Sequence, residues 1–303
     1  MRCFVLRMEK IVIYPASRLF YDKVLASVKS VLKNGNIDTV FLGIEDDEYP
    51  GTLPDRVKTI KIKGLEWFPR TGKNYRNDYA FTCLSRTALA KLFPEQTRIL
   101  SLDADTLVVG DISELWDLDL TDYYLAGVPE RQLSTERGYP YINMGMALFN
   151  LQKIRADKMD DQLIRDINQT KYLWYEQDCI NENCKGHVLP IGSEYNWCWF
   201  SDQSVEPKIV HFAATPEWFS NEMVQRYYAM GWNEALHGTE APRISYECDR
   251  QKDCCESPSC GYECTHTFEP SHAKNGTATE IDLARFKPLI NGDQVIYAEQ
   301  PIL

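Results

Sequence analysis

Apolar positions along the chain change their period several times, and each change marks an element. Residues 10–14 form a mostly apolar run that stops at Pro15, the pattern of a buried strand. Val24, Leu25, Val28, Val31 and Leu32 then recur at helical spacing, and Asn34-Gly35 supplies the stop. A second strand is predicted over 39–44. Strand, helix, strand is the unit that builds parallel sheets with right-handed crossovers. After a polar loop rich in Asp, Glu and Pro, a third strand is predicted over 57–62 and a helix over 77–93, ended by Pro94. Residues 98–102 read as a fourth strand, 124–128 and 142–150 as strands, 159–167 and 172–184 as helices, and 208–211 as a late short strand.

The expected fold class is therefore α/β: a single Rossmann-type, mostly parallel sheet with flanking helices. From about residue 238 the periodicity fades and the composition turns polar, which divides the chain into a main domain, 1–237, and a small Cys-rich C-terminal segment, 238–303. The fourth strand runs directly into Asp103-Ala104-Asp105. In open parallel sheets the carboxyl ends of the strands are where ligands bind, because the loops part there and leave a crevice. In extended backbone, residues two apart point to one side, so the two carboxylates can act together. A hard divalent cation such as Mn2+ or Mg2+ prefers such oxygen ligands and keeps positions open for phosphate oxygens.

Composition narrows the partners. A net charge of -11 argues against nucleic acid or an anionic membrane surface, both of which would repel the chain. A nucleotide remains compatible if a metal offsets its phosphates. No apolar run approaches the roughly 20 residues that span a bilayer, and the first ten residues lack a signal pattern, so a soluble cytoplasmic protein is expected. Of the ten cysteines, Cys3, Cys83, Cys179, Cys184 and Cys198 lie apart among apolar residues and read as buried thiols. Cys248, Cys254, Cys255, Cys260 and Cys264 fall in one polar stretch. Four of them, Cys248, Cys254, Cys260 and Cys264, could hold a structural Zn2+, although the spacing lacks two clean Cys-x-x-Cys pairs. A stabilising disulfide loop or plain reduced thiols are the alternatives there.

The segment 102–107, LDADTL, also fits the Asp-x-Asp-x-Thr signature of haloacid-dehalogenase-like phosphatases, whose first Asp is a nucleophile. That resemblance wants the motif on the first strand, whereas a complete strand-helix-strand unit precedes it here. Asp160-Asp161, the pair that would serve such an enzyme later in the chain, falls on the solvated face of a predicted helix.

Four segments in order carry a more specific resemblance: RILSLDADTLVVGDISELWDLDL from residue 98, YINMGMALFNLQKIR from 141, the Glu176-Gln177-Asp178 stretch, and Ile209-Val210-His211-Phe212 with Trp218. Together they resemble the retaining glycosyltransferases of family 8, the glycogenin and bacterial galactosyltransferase group, over residues 10–232. The resemblance implies a GT-A-like fold in which residues 1–237 form the nucleotide-sugar-binding catalytic domain. It implies transfer of a hexose from UDP-glucose or UDP-galactose to a glycan, lipid or protein acceptor, with Mn2+ or Mg2+ bound by Asp103, Asp105 and His211. Tyr14, Ala16 and Ala104 fall where the family holds the nucleotide, Arg86 where it places a cation near the donor, and Asn143 and Gln177 where it meets the sugar. Glu176, Gln177 and Asp178 match the Asp-Gln-Asp turn beside the reacting carbon, with Glu176 one methylene longer than the family's first Asp. The Gly and Lys that usually follow the late His are absent, Ala214 and Pro216 standing in their approximate places. Those departures also admit a nucleotide-sugar-binding protein that has lost turnover.

Overall fold

The computed structural model describes residues 8–75, 82–198, 201 and 204–237, together with the backbone of two short strands, Ile244–Ser245 and Thr267–Phe268. The cysteine cluster at 248–264 lies outside the described residues. Cys179, Cys184 and Cys198 are buried as expected, and burial pushes the thiols of the first two well above the ordinary range.

Seven strands form the main sheet: β1 (Ile11–Pro15), β2 (Thr39–Ile44), β3 (Val57–Lys61), β4 (Arg98–Leu102), β6 (Leu125–Pro129), β7 (Ile142–Asn150) and β8 (Val188–Pro190), in the order β3-β2-β1-β4-β7-β6-β8. Every neighbouring pair is parallel except those involving β7, which runs against both β4 and β6. A separate antiparallel pair joins β5 (Thr106–Val108) to β9 (Ile209–His211). β5 and β8, of three residues each, are too short to show a period and are not apparent in the sequence pattern.

Side chains alternate across the sheet as a strand period requires. Ile11 and Ile13 of β1 pack on one side with Ile99 of β4 and the apolar stripe of the helix Met159–Gln169. Val12 and Tyr14 pack on the other with Leu100, Leu102 and the helix Val24–Asn34. Both faces are therefore covered, which is why β1 and β4 read as nearly continuous apolar runs. Among the described residues, no helix is long and apolar enough to cross a membrane.

The helix expected over 77–93 is present in the part described but interrupted: residues 82–84 are α-helical before the ladder tightens. A 3-10 turn, Ser85–Ala88, precedes a four-residue helix, Leu89–Leu92. Ser85 Oγ donates to Thr82 O at 2.5 Å and Thr87 Oγ1 to Leu84 O at 2.8 Å. Side chains that bond a carbonyl three residues back compete with the α-helical ladder and favour the tighter turn.

After β9 the chain turns through Ala214 at a φ of 56°, in the left-handed region that a Gly adopts freely and an Ala does not. Replacing Ala214 with Gly should relieve about 1–2 kcal/mol of folded-state strain, less about 0.4–1 kcal/mol for the freer unfolded chain. Urea unfolding of A214G should therefore show a small gain in stability, and a loss would contradict the assignment of strain.

Candidate active site

β4 ends at Leu102, and Asp103, Ala104 and Asp105 occupy the turn that leads into β5. The two carboxylates are brought together by this turn and not by extended backbone, a correction to the simple two-residue argument. Thr106 fixes the turn, its N–H and its Oγ1 both donating to Asp103 O at 3.2 and 2.8 Å. The β5-β9 ladder then sets Thr106 opposite His211, and Phe212 N donates to Asp105 O at 2.9 Å. Register alone places the imidazole beside the acidic turn.

Nε2 of the buried His211 lies 3.4 Å from Asp105 Oδ1 and 3.9 Å from Asp103 Oδ2. One ligand atom from each of the three residues falls within 4.8 Å of the others. Burial opposes the imidazolium, but the aspartates, Asp105 foremost, reverse this and raise His211 above its ordinary value. For Asp105, burial opposes the carboxylate and His211 more than offsets it, so its pKa is lowered. Such a pocket attracts positive charge. Two carboxylates with one imidazole suit Mn2+, which accepts nitrogen as well as oxygen ligands, and the donor set present fits that ion.

Arg86 lies wholly inside the site, in contrast to the solvated helix charge it could have been. Its Nε donates to Ser101 Oγ at 3.0 Å, Nη1 to Glu176 Oε1 at 2.9 Å, and Nη2 to Asp103 Oδ1. One oxygen of Asp103 is thereby held by Arg86 while the other faces His211. Burial works against the guanidinium, yet Asp103 and Glu176 together raise its pKa, and burial raises that of Glu176. In this arrangement Arg86 orients two carboxylates.

β7 supplies the opposite wall. Between its pairing with β6 at Ile142 and at Ala147 the register shifts, and the side chains change face: Met144 packs with one core layer and Met146 with the other. Irregularities of this kind re-aim side chains beside active sites. The released backbone groups are met by amide side chains. Asn181 Oδ1 accepts from Ile142 N and its Nδ2 donates to Ile142 O, Gln177 Oε1 accepts from Met144 N, and Asn143 Oδ1 accepts from Gly145 N. Gly145 is itself pressed against the histidine ring, where an added Cβ would lie 2.1 Å from His211 Cε1.

Asn143, Glu176 and Gln177 thus converge with the metal-ligand candidates, as does Glu130, which accepts from Asn143 Nδ2 at 2.7 Å. Asp178 does not. Its carboxylate takes Tyr141 Oη, Arg137 Nη2, Leu173 N and Trp174 N, all at 2.7 to 3.1 Å, and so stabilises the start of the helix Tyr175–Asn183, where Tyr175 sits at a φ of 45°. Four donors thus already engage the carboxylate expected beside the sugar. Tyr14 is likewise fully buried, its hydroxyl accepting from Ser27 Oγ at 2.9 Å, and its ring is part of the core. Ala16 is buried with its N–H given to Gly43 O. Ala104 remains partly exposed between the two aspartates. Glu130, Gly145 and Asn196, a residue beside His211, have no motif spacing that could have marked them in the sequence.

A mostly parallel sheet with one reversed strand, an Asp-x-Asp turn at a strand end and a histidine delivered by a small second ladder define a GT-A fold. The profile of glycosyl transferase family 8 matches residues 11–217, and the chain belongs to that family. Glycosyltransferase GlyA of Streptococcus pneumoniae is 23% identical over 247 residues, covering 77% of this chain and 35% of that protein. The solved glycosyltransferase GlyE of Streptococcus pneumoniae superposes with a TM-score of 0.59 at 18% identity, over 76% of this chain and 62% of that one. The galactosyltransferase LgtC, solved with donor and acceptor sugar analogues, gives 0.55 at 19% identity, over 72% of this chain and 93% of its own. At these identities the structural likeness establishes the fold. The chain spans less than two thirds of the length of the curated relatives it matches, 62% of one and 35% of another.

Arg86→Met would leave Glu176 and one side of Asp103 without their cation. Breaking a buried pair costs about 3–5 kcal/mol, and the lower end applies because Asp103 is a third exposed. The loss should be greatest at neutral and alkaline pH and shrink on acidification, because a protonated Glu176 no longer needs a cation. Equilibrium unfolding at several pH values checks this; a pH-independent change under 1 kcal/mol, on the order of a surface pair, would show that Arg86 does not hold the two acids.

Proposed function

We propose that the chain is a Mn2+-dependent retaining hexosyltransferase that uses UDP-glucose or UDP-galactose. The observation that carries this reading is the meeting of Asp103, Asp105 and His211 at the carboxyl end of β4 in a chain of this family. LgtC, which shares the fold, was solved with donor and acceptor sugar analogues, and this supports placing a nucleotide sugar in the same crevice. Asp103, Asp105 and His211 would hold the cation, and Arg86 keeps Asp103 turned toward it. A divalent ion at this point would neutralise the diphosphate as the glycosidic bond breaks.

The sugar side is served by Asn143, Gln177 and Glu176. Gln177 Oε1 is occupied by Met144 N and one hydrogen of its Nε2 goes to Tyr141 Oη at 3.3 Å, so the second Nε2 hydrogen is the one that can meet a hydroxyl. Glu176 is buried and tied to Arg86, which suits stabilisation of oxocarbenium charge at a distance better than formation of a covalent bond. Asp178 is spent on its own helix. The acceptor hydroxyl would therefore attack on the face from which the nucleotide departs.

The phosphatase reading loses its second acidic pair. Asp160 and Asp161 lie in the first turn of Met159–Gln169 and pair with Lys91, at 3.7 and 2.8 Å, on the helical layer of the fold.

The test is release of UDP from a panel of UDP-sugars with Mn2+, alongside a generic phosphate ester. Turnover of a UDP-hexose is expected, with Asp105→Asn reducing it on the order of 100-fold or more while the fold persists. Donor binding without release would identify a non-catalytic binder, and parental activity in the variant would remove the metal assignment.

A further inference from the structure

His211 has two ring nitrogens, and only one of them faces the acidic turn. The other, Nδ1, lies 2.8 Å from Asn196 Oδ1. Asn196 is itself buried, and its amide makes one further hydrogen bond, Nδ2 donating to Asn143 Oδ1 at 3.0 Å. We propose that Asn196 is a positioning residue for the metal: it holds His211 as the Nδ1–H tautomer, so that Nε2 presents a lone pair between Asp103 and Asp105. This rests on the metal reading above.

The direction of every bond in this chain is dictated by its far end. Gly145 N–H is a backbone group and can only donate, so the side-chain atom of Asn143 that meets it at 2.9 Å must be the oxygen. The NH2 of Asn143 then faces the Glu130 carboxylate, an acceptor that suits it. Asn196 approaches the same Asn143 oxygen and must bring its own NH2, since two oxygens would repel. Its oxygen is left for His211, and Nδ1 must carry the hydrogen. The opposite tautomer would set the Nδ1 lone pair against the Asn196 oxygen and a proton where a cation belongs.

The fold holds Asn196 in place independently of this chain. Trp197 N donates to Ile209 O and His211 N to Trp197 O, at 2.9 and 2.8 Å, so the segment bearing Asn196 is laced to β9. Gly145 closes the circuit: its N–H sets the polarity of the chain and its missing side chain makes room for the ring that the chain orients. Second partners of metal-binding histidines fix the tautomer and ring angle, and their loss weakens metal binding.

Mn2+ binding to the full chain, followed by electron paramagnetic resonance of the free ion with UDP present, tests the proposal with four proteins. Asp105→Asn should abolish the binding seen in the parent. Asn196→Ala should weaken it about 10–100-fold, with the activity loss recovered at saturating Mn2+. Asn196→Asp keeps an oxygen for Nδ1 but sets its second oxygen against Asn143 Oδ1, so it should bind Mn2+ better than Asn196→Ala and less tightly than the parent. Long-range 15N spectra of the histidine-labelled parent at alkaline pH, with His211 assigned from His211→Gln, should show the hydrogen on Nδ1. That spectrum decides the matter even if Asn196→Ala does not fold. Parental affinity in Asn196→Ala, or a hydrogen on Nε2, would overturn the proposal while Asp105→Asn still reports on the metal site. Absence of Mn2+ binding in the parent would overturn the metal reading and this inference with it.

Discussion

A strand that leaves its ladder for a few residues must find other partners for its backbone, and β7 does so between Ile142 and Gly145 beside the acidic turn. Pro129, opposite Ile142, has no N–H to give, and Asn181 donates to Ile142 O in its place. Gln177 and Asn143 take the N–H groups of Met144 and Gly145. Each amide that repairs the backbone is thereby fixed in orientation. The residues nearest the crevice are ordered by the need to leave no buried polar group unpaired.

Charge follows from the same layout. Asp103, Asp105, Glu176 and Glu130 gather at one end of the sheet, and Arg86 is the buried cation that binds two of them. Asp105 and His211 instead face each other across a short gap. The segment after His211 makes a left-handed turn at Ala214 and then offers Thr215, Pro216 and Glu217, none of them a cation.

Much of the fold was legible in the sequence, because buried strands and amphipathic helices leave apolar periods. β4 falls on its expected residues, and the helix from Val24 and the strand over 142–150 were plain. β5 and β8 were not, being shorter than one period of evidence can establish, and the Ser85–Ala88 turn was hidden because its cause is hydroxyl bonding and not hydrophobicity. At the site, Asp103, Asp105 and His211 were found through family spacing. Arg86 was placed in the right neighbourhood as a cation near the donor, while its grip on Asp103 and Glu176 was not legible. Asn196, Gly145 and Glu130 act through contacts between distant segments, which no local pattern encodes. Asp178 and Tyr14 looked functional by position; four donors engage the carboxylate of the first, and the ring of the second is buried in the core.

The central claim is that one divalent cation sits between Asp103, Asp105 and His211. Anomalous scattering at the manganese edge, from crystals of the full chain grown with Mn2+ and UDP, measures this directly. One strong peak within bonding distance of a carboxylate oxygen from each aspartate and of His211 Nε2 is the predicted result. A peak elsewhere, or no peak while UDP is bound, would contradict the account.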